Sequence, residues 1–201
     1  MLFEKGIVKN NNTLSYNIFN EAVSNDFLSI PNMTSSEYVR YCWNKYTDYC
    51  SEHPQDNSTN GNIFELIVES ELYRKNFLPM FLQAKVAFVP NVKFDILLYS
   101  SDNYPIGLSL KTSLRERYKQ ADLEAIALKY VHRRALNYLI TLDSDEADNV
   151  KEKLCRGELL GINKVIAADT EEFDELISEF GSINFINPGS IDIITAGNIV
   201  R

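Results

Sequence analysis

The order of apolar runs between residues 61 and 142 limits the folds open to this chain. A helical stretch from Asn62 to about Phe77 carries Ile63, Phe64, Leu66, Ile67 and Leu72 at interior spacing. Three strand-length runs follow, at about 83–89, 92–99 and 106–111. Pro90-Asn91 and Ser100-Ser-Asp-Asn-Tyr-Pro105 supply the turns between them. A long helix is expected over about 114–132, and Leu136-Asn-Tyr-Leu-Ile-Thr-Leu142 reads as a buried strand. This is an α/β plan, αβββαβ, with a mixed central sheet flanked by helices. Extra αβ units follow. Ser144 caps a helix to Leu154, Lys164-Val-Ile-Ala-Ala168 is a short strand, and Thr170 opens a helix to Phe180. Short strands near 183–186 and 191–195 close the chain.

Residues 1–60 read as an N-terminal helical region, and 61–201 as the main domain. Leu14, Ile18, Phe19, Ala22, Val23 and Phe27 repeat at helical spacing. Thr34-Ser-Ser-Glu37 is a capping box opening a helix over 35–50, whose Tyr38, Tyr41, Cys42, Trp43, Tyr46 and Tyr49 form an aromatic face. That face either packs onto the main domain or stacks on bases. Residues 51–61 are polar and read as a linker.

Cys42 and Cys50 lie eight residues apart, roughly 12 Å along a helix and too far to bridge. With Cys155, and with His53 and His132 in no ligand cluster, they give no zinc pattern, and reduced structural thiols are expected. No run approaches the roughly 18 apolar residues of a membrane helix. Met1-Leu-Phe-Glu-Lys lacks a signal-peptide layout, so cytoplasmic residence is the simplest expectation.

Net charge is −8, which by itself argues against nucleic acid. Its distribution argues the other way. Lys111 to Arg134 carries seven basic and three acidic residues, a local +4. A basic stripe on an acidic protein suits a polyanion gripped at one place; ordinary mixing of charge on a solvated helix face is the competing explanation.

The chemistry is concentrated in two places. Asp95 interrupts the apolar run Val92-Lys-Phe-Asp-Ile-Leu-Leu, where an unpaired carboxylate would cost several kcal/mol, so it needs a partner. Ile106-Gly-Leu-Ser-Leu-Lys111 is a strand that ends in a lysine and runs straight into a basic helix. Ser109 and Lys111 share one side of it, Leu108 and Leu110 the other. Lys111 there can orient a water and stabilise charge on a phosphate, and the Leu110 carbonyl is a further metal-ligand candidate. A second carboxylate must come from elsewhere. Glu124, thirteen residues past Lys111, shares a helix face with Arg117 and Gln120. Glu65 is a third acid, with Glu69 one turn later as its rival for a place in or just behind a metal site. Aspartate, S-x-K and a helical glutamate suit phosphodiester hydrolysis with a divalent metal.

Asp95, Ser109-x-Lys111 and Glu124 resemble the PD-(D/E)xK nuclease core in its permuted form, where the second acid has moved from the strand to the next helix. That variant belongs to the CCGG family of type II restriction endonucleases, the EcoRII-like and NgoMIV-like enzymes. Arg115-Glu116-Arg117 resembles the family's R-(D/E)-R element, which reads neighbouring C·G pairs. The resemblance covers about residues 61–142. Phe94 stands where the superfamily often has proline, and only thirteen residues separate Asp95 from Ser109. The resemblance implies a restriction-endonuclease-like fold and Mg²⁺-dependent cleavage of duplex DNA at a short palindromic site containing CC/GG. It implies Asp95, Glu124 and the Leu110 carbonyl at the metal, with Lys111, Ser109 and Glu65 at the reacting phosphate. Arg115, Glu116 and Arg117 would read bases, helped by Lys119 and Gln120. Arginine pairs bidentately with guanine and glutamate accepts from cytosine. Ser113-Leu-Arg-Glu116 is also a capping box, so Glu116 has a second explanation. A palindromic site implies a homodimer, with a tetramer left open, and a host methyltransferase of the same specificity. The N-terminal helices would serve dimerisation or flanking DNA contacts. Alternatives are another nuclease of the superfamily, in repair or structure-selective cleavage, and a non-catalytic DNA-binding domain of the same fold.

Overall fold

The structure, a computed structural model, describes residues 1–89, 91–189 and 194–200. Its helices are α1 (Leu14–Ile18), α2 (Ser35–Glu52), α3 (Asn57–Arg74), α4 (Arg117–Val131), α5 (Ser144–Cys155) and α6 (Glu171–Gly181). Its strands are β1 (Met80–Val86), β2 (Phe94–Ser100), β3 (Tyr104–Lys111), β4 (Leu136–Thr141), β5 (Lys164–Ala167), β6 (Ile194–Thr195) and β7 (Asn198–Val200). The sheet order is β5-β4-β3-β2-β1-β6, and β7 also pairs with β1. β1, β2 and β3 are mutually antiparallel, while β3, β4 and β5 are parallel. The mixed α/β sheet and the αβββαβ order agree with the expectation. Helices α4 and α5 supply the long crossovers that parallel neighbours require. Among the described residues, no helix is long and apolar enough to cross a membrane.

Helices cover both faces of the sheet. Ile96, Leu108, Leu110 and Ile140 belong to one core with residues of α2, α3 and α6. Leu139 and Val165 point the other way, with Tyr118, Ala121 and Ala125 of α4 and Val150 of α5. Leu2, Phe19, Phe27, Tyr38 and Tyr46 share the first core with the sheet. The aromatic face of α2 therefore packs: Tyr38 exchanges a hydrogen bond with Ser70 at 2.9 Å, and Trp43 lies edge-on to Phe64. The Thr34–Glu37 capping box forms as read.

Several boundaries differ from the expectation. α3 starts at Asn57, so the linker shrinks to residues 53–56. Asp56 caps it through the Thr59 N–H at 2.7 Å, and packing of buried Thr59 outweighs the poor helix propensity of Asn-Ser-Thr-Asn-Gly. β1 begins at Met80 rather than 83, because Met80–Leu82 pairs with both β2 and the distant β7. The N-terminal helix is short and passes into a π-helical turn, Phe19–Val23. Asp143, not Ser144, caps α5. Phe185 makes only an isolated bridge to Ser100, and of the strand expected over 191–195 only Ile194 and Thr195 lie within the described residues.

One junction is tightly constrained. Asp122 of α4 is buried and accepts the backbone N–H groups of Leu160, Gly161 and Ile162. A Cβ on Gly161 would stand 2.5 Å from the Asp122 carbonyl oxygen, and closer still to the Ile126 amide nitrogen. Both obstacles are helix backbone and cannot step aside. Gly161→Ala is expected to destabilise the protein by about 3 kcal/mol, read from the denaturant midpoint.

Candidate active site

The site forms where the sheet forks. β2 and β3 pair from Ser100↔Tyr104 to Ile96↔Leu108 and no further, although both strands continue. On the other side, Leu82↔Ile96 and Ala84↔Phe94 pair, but Gln83 opposite Asp95 does not. Gln83 has φ 50°, left-handed for a non-glycine residue. Leu82 faces the first core and Ala84 a second one, so the strand turns over at Gln83 while its register with β2 is kept on either side. Asp95 is thus left out of the ladder on both sides.

Its carboxylate fills the fork. Asp95 Oδ2 accepts the Leu110 N–H at 2.7 Å and the Lys111 ammonium at 2.9 Å. These charge-assisted bonds offset the cost of placing a carboxylate among apolar neighbours. The side chains of Lys111 and Asp95 remain 23% and 13% exposed, enough to meet a ligand.

Two more carboxylates reach the same space. Glu65, from α3, accepts the Gln83 amide at 2.9 Å through Oε2. Glu124, from α4, accepts the Gln120 amide at 2.8 Å through Oε1. Glu65, Asp95, Lys111 and Glu124 line one cavity of about 520 Å³, with Gln83, Lys93 and Gln120 beside them. An adjoining cavity of about 450 Å³ shares Glu65, Lys111 and Gln120 and adds Leu110, Thr112 and Arg117.

Burial pushes the Glu65 carboxyl up to about 7, and the Asp95 charge adds to the effect. Lys111 and Lys93 pull the other way. Glu69 is buried and held well above its ordinary value by burial, then by the charges of Glu65 and Asp95. Glu65 therefore faces the cavity with Asp95 and Lys111, and Glu69 lies buried one turn behind it.

These raised values link stability to pH. Between the ordinary glutamate value and the raised one, the folded state holds protons that the unfolded chain has released. The stability contributed by Glu65 should thus be complete below about pH 4.5 and should fall away as pH rises to about 7. Thermal melting in EDTA should show this fall, and Glu65→Gln should flatten it. An unchanged slope in that variant would remove Glu65 as a cause.

The donor set suits a hard divalent cation. Among the described residues Asp95 Oδ1 accepts no hydrogen bond, and Glu65 and Glu124 each engage only one oxygen. Among those residues no three Asp, Glu, His or Cys side chains are grouped as a metal cluster. Mg²⁺ does not need such a cage, because it keeps several waters and takes one or two carboxylates plus substrate oxygens. Carboxylate and carbonyl oxygens without thiolate or imidazole also fit it better than zinc.

The remaining expected site residues are spread around this centre. Ser109 is buried within β3, and its side chain makes no hydrogen bond among the described residues. Arg117 and Gln120 open onto the adjoining cavity. Arg115, Glu116 and Lys119 are exposed at the start of α4, outside both cavities. The capping box expected at Ser113–Glu116 is not formed. α4 starts at Arg117, its N-cap Glu116 makes no side-chain cap bond, and the Glu116 carboxylate pairs with Lys119 instead. The Leu114 and Arg115 N–H groups are taken by Glu146 of α5. Reasoning from sequence missed Gln83 and Glu146. In sequence Gln83 is one polar residue on a strand and Glu146 one acid in a first helical turn, so neither carried a signal.

No family model matches the chain, and no curated protein matches it. Among solved structures it is similar to one described as a restriction endonuclease PspGI–substrate DNA complex, with a TM-score of 0.59 and 17% sequence identity. The match covers 89% of this chain and 84% of that one. The likeness shows a restriction-endonuclease-like fold: a mixed central sheet flanked by helices.

Proposed function

We propose that this protein is a Mg²⁺-dependent site-specific endonuclease of type II that hydrolyses duplex DNA at a short palindromic site containing CC/GG. The observation that carries the reading is the Asp95–Lys111 pair in the sheet fork, with Glu65 and Glu124 lining the same cavity. The likeness to a DNA-bound restriction endonuclease supports it at the level of fold.

Asp95 and Glu124, with the Leu110 carbonyl, would hold the cation. When bound, Mg²⁺ polarises a phosphate oxygen and makes its water more acidic. Lys111, held by Asp95, points its ammonium where it can orient the attacking water and balance charge on the phosphorus oxygens. Glu65 lines the cavity with Oε2 held by Gln83, and its raised pKa lets it hold or release a proton near neutral pH. Gln83 fixes that carboxylate from its left-handed position on β1. Ser109, on the Lys111 side of β3, backs the reacting side chains. Arg117 and Gln120 lie next to the cutting site, and Arg115, Glu116 and Lys119 stand beyond them where base edges or phosphates can be met. Two-fold symmetric cutting calls for a homodimer, with the N-terminal helices at the dimer contact or the DNA flanks, and a methyltransferase of matching specificity to protect the host.

Plasmid DNA incubated with Mg²⁺ and, in parallel, with EDTA tests the reading. Discrete fragments only with Mg²⁺ are expected, and the sequenced ends define the site. Failure to cut any unmodified DNA would refute it. Cutting without sequence preference would leave a nuclease but remove the site-specific part.

A further inference from the structure

We infer that Glu146, on α5 and outside the cavity, is a positioning residue for sequence recognition: it holds the turn that presents Arg115, Glu116 and Arg117. The inference deepens the proposed function and rests on the base-reading role given there to these three residues.

The turn between β3 and α4 does not hold itself. Arg115 has φ 40°, a left-handed conformation that a non-glycine residue keeps only when its surroundings impose it. Glu116, at the N-cap, supplies no side-chain cap. What holds the turn comes from two places. Leu114 is wholly buried in the core with α5 residues Ala147 and Val150. Glu146 Oε2 accepts both the Leu114 N–H and, at 3.2 Å, the Arg115 N–H. These amides precede α4 and have no partner within it, so one carboxylate oxygen satisfies both. The result anchors the buried residue and leaves the next three exposed.

Glu146 is itself well placed to set a distance. Its N–H donates to the Asp143 carboxylate that caps α5, at 2.9 Å. The Asp143 N–H in turn donates to Thr141 Oγ1 at 3.2 Å. Thr141 is fully buried at the end of β4, directly paired with Lys111 at the end of β3. The ends of two parallel strands thus fix both the catalytic lysine and, through Asp143 and Glu146, the recognition turn. Base readout depends on arginines held to within fractions of an ångström, so loosening this link should blur discrimination before it abolishes folding.

The test compares the wild type with Glu146→Ala, Glu146→Asp and Glu146→Gln. The affinity ratio between the wild type's preferred duplex and duplexes with one G·C pair replaced is read by fluorescence anisotropy without divalent metal. Melting temperature is read alongside. Alanine removes the acceptor, and aspartate keeps the charge but loses reach. Both should lower the ratio by about tenfold or more. Glutamine keeps an acceptor oxygen of the same length and should stay within about threefold. A ratio unchanged in either Glu146→Ala or Glu146→Asp, with the protein folded, would overturn the inference. So would a loss in Glu146→Gln as large as in Glu146→Ala. If Glu146→Ala does not fold, Glu146→Asp carries the test. A wild type that prefers no sequence would overturn the site-specific reading, and this inference with it. A preference lost in Arg117→Ala but kept in the Glu146 variants would overturn this inference alone.

Discussion

Asp95→Asn should lower the rate of Mg²⁺-supported cleavage by about 10³-fold or more, because metal-assisted hydrolysis depends on charge at the metal ligand. The substitution keeps the size of the side chain. Its amide oxygen can still accept the Leu110 N–H, so the fork in the sheet should persist. What disappears is the negative charge. In the proposed mechanism Asp95 would attract the cation, and it holds the Lys111 ammonium, so one substitution weakens both. It also relieves repulsion on Glu65, whose carboxyl should move back toward its ordinary value. Single-turnover cleavage over a range of Mg²⁺ concentrations measures the effect, with melting temperature as the control for folding. A variant that cuts within tenfold of the wild type would remove Asp95 from the metal site.

Lys111→Met should also abolish most cutting, by about 10²- to 10⁴-fold. Methionine keeps the aliphatic stem and removes the ammonium. The pattern should differ from that of Asp95→Asn, because the oxygens proposed to hold the metal remain. DNA affinity should change by only a few-fold, since Arg117, Lys119 and Lys129 of α4 stay in place. The signature is therefore lost turnover with retained binding, measured by cleavage and anisotropy on one preparation. Retained turnover would contradict the role given to Lys111. Loss of binding and cutting together would make it a general phosphate contact.

Much of this could be read along the chain. Asp95 stood out because apolar residues on both sides left its charge unexplained, and the structure answers with two hydrogen bonds. Lys111 stood out because it ends a strand whose alternate residues are apolar. Glu124 required a guess across thirteen residues, and regular helix geometry carried it into the cavity. The element order survived because helical and strand periodicities are local. The boundaries at Met80 and Arg117 did not, because each is set by partners far along the chain, and α3 starts at Asn57 because Asp56 caps it there.

The sequence by itself determined the α/β order and the mixed sheet, and it marked Asp95 as a charge in need of a partner, since alternation along a strand and the cost of a lone buried charge act over a few residues. Only the tertiary structure decided which of Glu65 and Glu69 faces the cavity, because one helical turn separates an open side chain from an enclosed one. It alone brought in Gln83, through a left-handed turn of β1 opposite Asp95. It also replaced the capping box at Ser113–Glu116 with a carboxylate from another helix. The physical reason is common to all three. A hydrogen-bond acceptor is chosen by distance in space, and a chain that folds back on itself can supply it from thirty residues away as readily as from three.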